Sequence, residues 1–363
     1  MVKNMRELKT FEIDKDGKCK LIAELWREPE LKSEKILEEM FPKKLYQNQR
    51  DAYGKVLKEI GEKDKRIVAL SADLAGSTKV QDFGNIFKDD KNGPSRFFNM
   101  GVAEQNMMDF AAGLSAVGLI PFVSTFSIFA TGRAWEQVRQ GICYNNFNVK
   151  IVSTHGGITV GEDGATHQAN EDISIMLPIP DIKIVIPADA HETRQVIRAA
   201  VDTFGPFYVR LSRSPCPSVF DDSYKYEFPK AKVMKNGKDC VIFACGIMLA
   251  HSLCAAKMLE EEGISASVVN VSTIKPLDID TVVEQARKTG CAVTAEESSI
   301  IGGLGSIICS VLAEEYPVPV KRVGIRDIFG MSGSAQALLK YYGLMPEDIA
   351  SAVKESIRKK RKN

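Results

Sequence analysis

The residues best equipped for chemistry crowd into one stretch, Thr154-His-Gly-Gly-Ile-Thr-Val-Gly-Glu-Asp-Gly-Ala-Thr-His-Gln168, which holds two histidines, two acids and four glycines. It follows an apolar run of strand length, and a loop this polar usually exists for function. His155, Asp163 and His167 together could bind a polyol and move protons. A metal site is the competing reading, but no cysteine partner or supporting ligand is evident. Past a later strand, Leu211-Ser-Arg-Ser214 supplies Arg213, whose planar fork suits bidentate phosphate recognition.

Four other places carry weaker signals. Ser71-Ala-Asp-Leu-Ala-Gly-Ser77 follows a strand: Asp73 could hold a cofactor or a helix end, and Ser77 could donate to a phosphate, or the segment is a capped turn. In Arg96–Met107 a strand ends, glycine turns the chain, and Glu104 enters the first turn of a helix. That carboxylate either complements the helix dipole or is buried to meet a ligand nitrogen. Phe126 and Phe129, three apart, are core or the walls of an aromatic-ring pocket. Ile301-Gly-Gly-Leu-Gly-Ser306 is a tight turn or an anion cradle, and lacks the full dinucleotide spacing and the phosphate-loop lysine.

The elements around these places alternate. Strand-length apolar runs at Arg66–Ser71, Phe97–Asn99, Pro121–Ser124, Val149–Thr154, Ile182–Ile186 and Phe207–Leu211 are separated by helical spacing at Ala103–Val117, Ser127–Asn145 and Asp189–Thr203. Such alternation implies parallel strands with right-handed crossovers. Pro215 and Pro217 end the unit. A second alternation predicts strands at Asp239–Cys245, Ala266–Val271, Cys291–Ala295 and Val320–Val323. Its helices fall at Leu249–Glu262, Asp278–Lys288, Gly305–Glu315 and Pro346–Lys359. The expected fold class is therefore α/β, with two doubly wound domains at 46–218 and 238–363 joined by a linker at 219–237. Residues 1–45, rich in Lys and Glu, read as an extension of unknown role with one amphipathic helix near Ser33–Met40.

Among the 363 residues, 48 Lys and Arg against 47 Asp and Glu leave a net charge of +1, which argues against a nucleic-acid binder held by bulk charge. A 44% hydrophobic, 26% charged composition argues against disorder and supports a large core. No apolar run reaches membrane-spanning length, the first residues lack the apolar core of a secretory signal, and no Cys-x-x-Cys pair occurs. The expectation is a cytoplasmic protein with reduced, buried thiols. The basic run Arg358–Lys362 reads as a solvated helix end.

The segments SADLAGS, FFNMGVAEQNM, TFSIF, THGGITVGEDGATHQ, IPADAHET and LSRS occur in the order found in transketolases, and the chain resembles that family over roughly residues 46–358. The resemblance implies a pyrimidine-binding domain followed by a transketolase C-terminal domain. It also implies thiamine diphosphate chemistry with a divalent metal, transferring a two-carbon ketol unit between sugar phosphates of the pentose phosphate type. Glu104 matches the glutamate at the aminopyrimidine ring nitrogen. Phe126 and Phe129 match the pyrimidine pocket, and Asp73 lies beside the cofactor. Arg50, Ser77, His155 and Arg213 match sugar-phosphate ligands. Asp163 matches the reader of the donor C2 hydroxyl, and His167 a histidine on substrate hydroxyls. No metal ligand is assigned to this chain. The Gly-Asp-Gly motif that binds diphosphate and Mg2+ (or Ca2+ or Mn2+) in full-length transketolases is missing, and too few residues precede Arg50 to build its domain. The expectation is the C-terminal subunit of a split transketolase, an α2β2 assembly with a separate N-terminal subunit. The alternatives are the β subunit of a thiamine-dependent 2-oxo acid dehydrogenase, deoxyxylulose phosphate synthase, a transketolase for sulfonated or branched sugars, and a non-catalytic regulatory subunit.

Overall fold

The computed structural model describes residues 31–88 and 93–361, plus two short strands, β1 (Phe11–Ile13) and β2 (Cys19–Leu21), paired antiparallel. The rest of the N-terminal extension and the last residues of the basic tail lie outside the described residues. The amphipathic helix of the extension runs over Lys32–Met40 and docks on the C-terminal half: Glu347 accepts from the Ser33 amide at 2.9 Å. A two-residue ribbon, β3 (Tyr46–Gln47) with β10 (Cys216–Pro217), then ties the start of the first unit to its end.

The first sheet is built from β4 (Ile67–Ser71), β5 (Phe97–Asn99), β6 (Ile120–Ser124), β7 (Lys150–Ser153), β8 (Lys183–Val185) and β9 (Phe207–Arg210). They lie in the order β8-β9-β7-β6-β4-β5, all parallel. Strands β4, β6 and β7 are buried along their whole length, as parallel strands covered on both faces must be. The chain leaves β4 toward β5 and returns to β6 on the other side. The crevice between the carboxyl ends of β4 and β6 is therefore the switch point where ligands gather.

The second sheet has the order β11-β13-β12-β15-β16, with β11 (Lys232–Lys235), β12 (Cys240–Ala244), β13 (Ala266–Asn270), β15 (Ala292–Ser299) and β16 (Val320–Ile325). Edge strand β11 is antiparallel and falls in the segment read from sequence as linker. Strand β14 (Thr273–Lys275) crosses over and adds antiparallel to β8, so the first sheet has seven strands, one of them from the C-terminal half. The apolar core likewise runs across both halves: Leu70, Val123 and Ile151 share one buried cluster with Val241, Phe243 and Leu304. Each such side chain, fully withdrawn from water, contributes roughly 1.5–3 kcal/mol. Among the described residues six cysteines are buried and unpaired, and Cys309 is half-buried.

Two local features concern expectations from the sequence: one differs, and the glycine-rich turn is the tight, closely packed turn rather than the anion cradle. The helix expected over Ser127–Asn145 is broken into π-helical turns at Phe129–Arg133 and Val138–Cys143 around a short α-turn. The Thr131 hydroxyl donates to the Ser127 carbonyl at 2.8 Å, which disturbs the regular ladder there. The glycine-rich turn before helix Leu304–Glu315 is not open to an outside anion. The Glu296 carboxylate accepts from the amides of Leu304 and Gly305, both at 2.8 Å. Gly303 makes room for it, since a Cβ there would collide with Glu296 Oε2.

Candidate active site

Apart from Arg50, the residues singled out from the sequence in this half follow carboxyl ends of strands in the first sheet. Asp73 and Ser77 follow β4, Glu104 follows β5, Phe126 follows β6, His155 follows β7, and Arg213 follows β9. Arg50 arrives from the first turn of helix Gln49–Lys63, whose start is capped by Asn48. A cavity of about 380 Å³ is lined by Arg50, Ser77, Phe126, His155, Asp163 and Arg213, together with Ser214 and Pro215. Six residues scattered over more than 160 positions thus meet at one switch-point crevice.

An aromatic cluster forms one wall. The Phe126 ring lies 3.6 Å from the His155 ring and stacks on it, and lies 5.9 Å from Phe129. His167 meets Phe129 edge-on at 5.5 Å. Glu104 sits at the first position of helix Glu104–Ala116 and is 1% exposed. Its Oε2 accepts from Arg133 Nη1 at 2.9 Å, while Oε1 has no hydrogen bond among the described residues. The Arg133 guanidinium in turn lies 4.7 Å from the centre of the Phe129 ring. Asp73 is exposed, with φ at 59°, and exchanges hydrogen bonds of 3.1 Å with Asn99. Among the described residues no hydrogen bond or ion pair joins it to a cavity residue.

The other wall is cationic. Arg213 donates to the Val160 carbonyl and to Glu162, both at 2.8 Å, and its Nε lies 3.9 Å from Asp163. Arg50 donates to the Ser77 carbonyl at 2.9 Å, and burial together with the nearby Arg213 charge lowers its pKa. Burial, reinforced by Arg50, Arg213 and His167, pushes the His155 imidazole down to about 3. His155 is therefore neutral near pH 7. Its Nδ1 is engaged with the Thr154 hydroxyl at 2.8 Å, leaving Nε2 for a ligand. Two like charges and a neutral donor or acceptor around one crevice make a receptor for an anionic, hydroxyl-bearing molecule.

Residues with no motif of their own hold this wall in place. Glu297, from β15 of the other half, accepts from the Thr159 amide at 2.5 Å. Gly157, at φ 81°, leaves it space: a Cβ there would lie 2.5 Å from the Glu297 carboxyl carbon. Buried Arg210 donates to Asp172 at 2.8 Å and to the Glu297 carbonyl at 2.9 Å. Gln168 reaches the Met331 carbonyl at 2.9 Å. The polar loop is thus clamped between the two halves. Consecutive acids in an almost wholly buried strand, Glu296-Glu297, are the available signal, since such residues are rarely buried unless partnered. Among the described residues no group of His, Cys, Asp or Glu is arranged to hold a metal ion, and no helix is long and apolar enough to cross a membrane.

Two α/β domains in this order, with a polar cavity at the switch point of the first, define a chain built to bind a small anionic ligand at one crevice. Residues 46–218 match the transketolase pyrimidine binding domain, and residues 229–349 match the transketolase C-terminal domain. A protein of Methanocaldococcus jannaschii named as a transketolase C-terminal section is 44% identical over 318 residues, covering 87% of this chain and 98% of its own. A 6-deoxy-6-sulfo-D-fructose transketolase subunit of a Clostridium species is 41% identical over 311 residues, covering 86% and 95%. A solved split-gene transketolase, described as an inactive β4 tetramer, superposes with a TM-score of 0.80 at 50% identity, covering 86% of this chain and 99% of that one. The chain belongs to the transketolase family and carries its pyrimidine binding and C-terminal domains.

Proposed function

We propose that this chain is the C-terminal subunit of a thiamine-diphosphate-dependent transketolase, moving a two-carbon ketol unit from a ketose phosphate to an aldose phosphate. One observation carries the reading. The buried Glu104 carboxylate, with Oε1 uncommitted, is joined through Arg133 to Phe129, and the neighbouring Phe126 lines the cavity of the two arginines. A buried acceptor beside flat apolar walls fits the aminopyrimidine end of the coenzyme. When bound, thiamine diphosphate supplies the nucleophilic carbon that carries the ketol unit. Glu104 holds a proton at the pyrimidine ring nitrogen. Phe126 and Phe129 orient that ring and exclude water, with Asp73 alongside. Arg50, Ser77, His155 and Arg213 bind the sugar phosphate. Asp163 reads the C2 hydroxyl of the donor, and His167 contacts substrate hydroxyls.

The diphosphate and its Mg2+ are assigned to a separate N-terminal subunit, in a cytoplasmic α2β2 enzyme. One fact supports a two-chain enzyme: the similar solved split-gene transketolase, a β4 tetramer, is described as inactive. The test is co-purification with the N-terminal chain and assay with xylulose 5-phosphate and ribose 5-phosphate. Activity is expected only from the pair. Ketol transfer by this chain alone overturns the reading, and turnover of pyruvate with lipoamide replaces the reaction. The relative acting on a sulfonated sugar makes 6-deoxy-6-sulfofructose the second donor to try.

A further inference from the structure

The Arg133 guanidinium holds two features at once: Glu104 Oε2 at 2.9 Å, and the face of Phe129 at 4.7 Å from the ring centre. These are the same two features that the proposed function gives to the aminopyrimidine, so any contest between the two groups rests on that reading. The coincidence has a chemical basis. A guanidinium is a flat N–C–N edge that donates to a carboxylate and stacks on an aromatic face. A protonated aminopyrimidine is also flat: its ring nitrogen can donate to the same carboxylate, and its face can stack on the same ring. Glu104 Oε1 is open to the ring nitrogen, but Oε2 and the Phe129 face that Arg133 covers cannot serve both groups at once.

We propose that Arg133 competes with the pyrimidine ring of the coenzyme for Glu104 and Phe129, and is displaced when that ring binds. Local construction favours the movement. Arg133 ends the π-helical turn Phe129–Arg133, and its side chain is 48% exposed, whereas Glu104 is almost wholly buried. The arginine therefore has solvent to swing into, and the carboxylate has nowhere to go. Glu104 keeps one partner throughout, which avoids leaving a buried charge unpaired.

The test measures binding directly, on the full chain both alone and combined with its N-terminal partner. Trp135, two residues from Arg133 with its indole anchored on the Ile175 carbonyl at 2.7 Å, is a nearby fluorescence reporter. The probes are thiamine diphosphate and 4-amino-2-methylpyrimidine. Arg133→Met is expected to tighten both by roughly 10- to 150-fold, the scale of one lost charge-assisted contact. Arg133→Lys, which keeps the charge without the planar fork, is expected to fall between. Millimolar guanidinium should weaken probe binding to Arg133→Met and leave the parent protein nearly unchanged, a response that a purely structural arginine would not produce. Equal or weaker binding by Arg133→Met overturns the competition. Glu104→Gln separates the competition from the functional assignment beneath it. If it weakens both probes while Arg133→Met fails to tighten them, only the competition falls. If neither substitution changes binding, the assignment of Glu104 to the pyrimidine falls as well.

Discussion

Replacing Arg213 by Ala tests the cationic wall of the cavity. The Arg213 guanidinium is about one-third exposed and is already engaged with Val160 O and Glu162, both at 2.8 Å. A phosphate held by two charge-assisted hydrogen bonds gains about 3–6 kcal/mol in gross terms. Partial solvent access and release of the exposed Glu162 pair, itself worth about 0.2–1 kcal/mol, cut this to about 2–3 kcal/mol. That corresponds to a roughly 30- to 150-fold rise in KM for a phosphorylated donor. Because phosphate binding is nearly equal in ground and transition states, kcat should stay within about threefold. The assay is steady-state kinetics of the reconstituted two-subunit enzyme, run in parallel with an unphosphorylated donor whose KM should not move. Glu162→Gln supplies the opposite sign: freeing Arg213 from its competitor should lower KM by about two- to fivefold. An unchanged KM for Arg213→Ala, or a loss confined to kcat, would refute the assignment of this arginine to phosphate.

Other expectations concern different parts of the molecule. Glu104→Gln should lower kcat of the reconstituted enzyme by about 10²- to 10⁴-fold with little change in thermal unfolding; retained activity would remove Glu104 from proton handling. His155 is held neutral, so the unfolded chain binds a proton below pH 6.5 that the folded chain refuses down to about pH 3. Its contribution is complete above pH 6.5 and is lost as pH falls through that window, by at most about 1.4 kcal/mol per pH unit. His155→Gln should flatten the acid limb of the stability curve, measured by urea titration at pH 4 to 7, and an unaltered limb would contradict the depressed pKa. Gly303→Ala puts a methyl group against Glu296, so the C-terminal half should lose about 1–3 kcal/mol, read as a lower thermal midpoint.

Much of the fold is legible in the sequence because parallel strands covered on both faces must be continuous apolar runs. Phe97–Asn99 and Phe207–Arg210 are found where the runs place them, within a residue. Helix Gln49–Lys63 is equally legible once seen, with Ala52, Tyr53, Val56, Leu57 and Ile60 on one buried face behind the Asn48 cap, although the strand-and-helix alternation traced from the sequence does not include it. Strand β14 is not legible. Three residues before a proline have no strand signature of their own, and they become a strand only because β8 offers them an open edge. The break in the helix after Phe126 is hidden too, since the residues of its π-helical turns keep ordinary helical spacing.

The sequence by itself determined which residue types stand at the ends of which strands, because alternation of apolar runs and helical spacing is a local property of the chain. It therefore sufficed to pick out Glu104, Phe126, His155, Asp163 and Arg213 as polar or aromatic side chains at one edge of a sheet. Their partners were decided only by the tertiary structure. Arg133 meets Glu104 across 29 positions, and Glu297 meets Thr159 across 138. No spacing rule connects residues so far apart. Packing chooses those pairs, because a buried carboxylate must find whatever donor the assembled fold brings within reach.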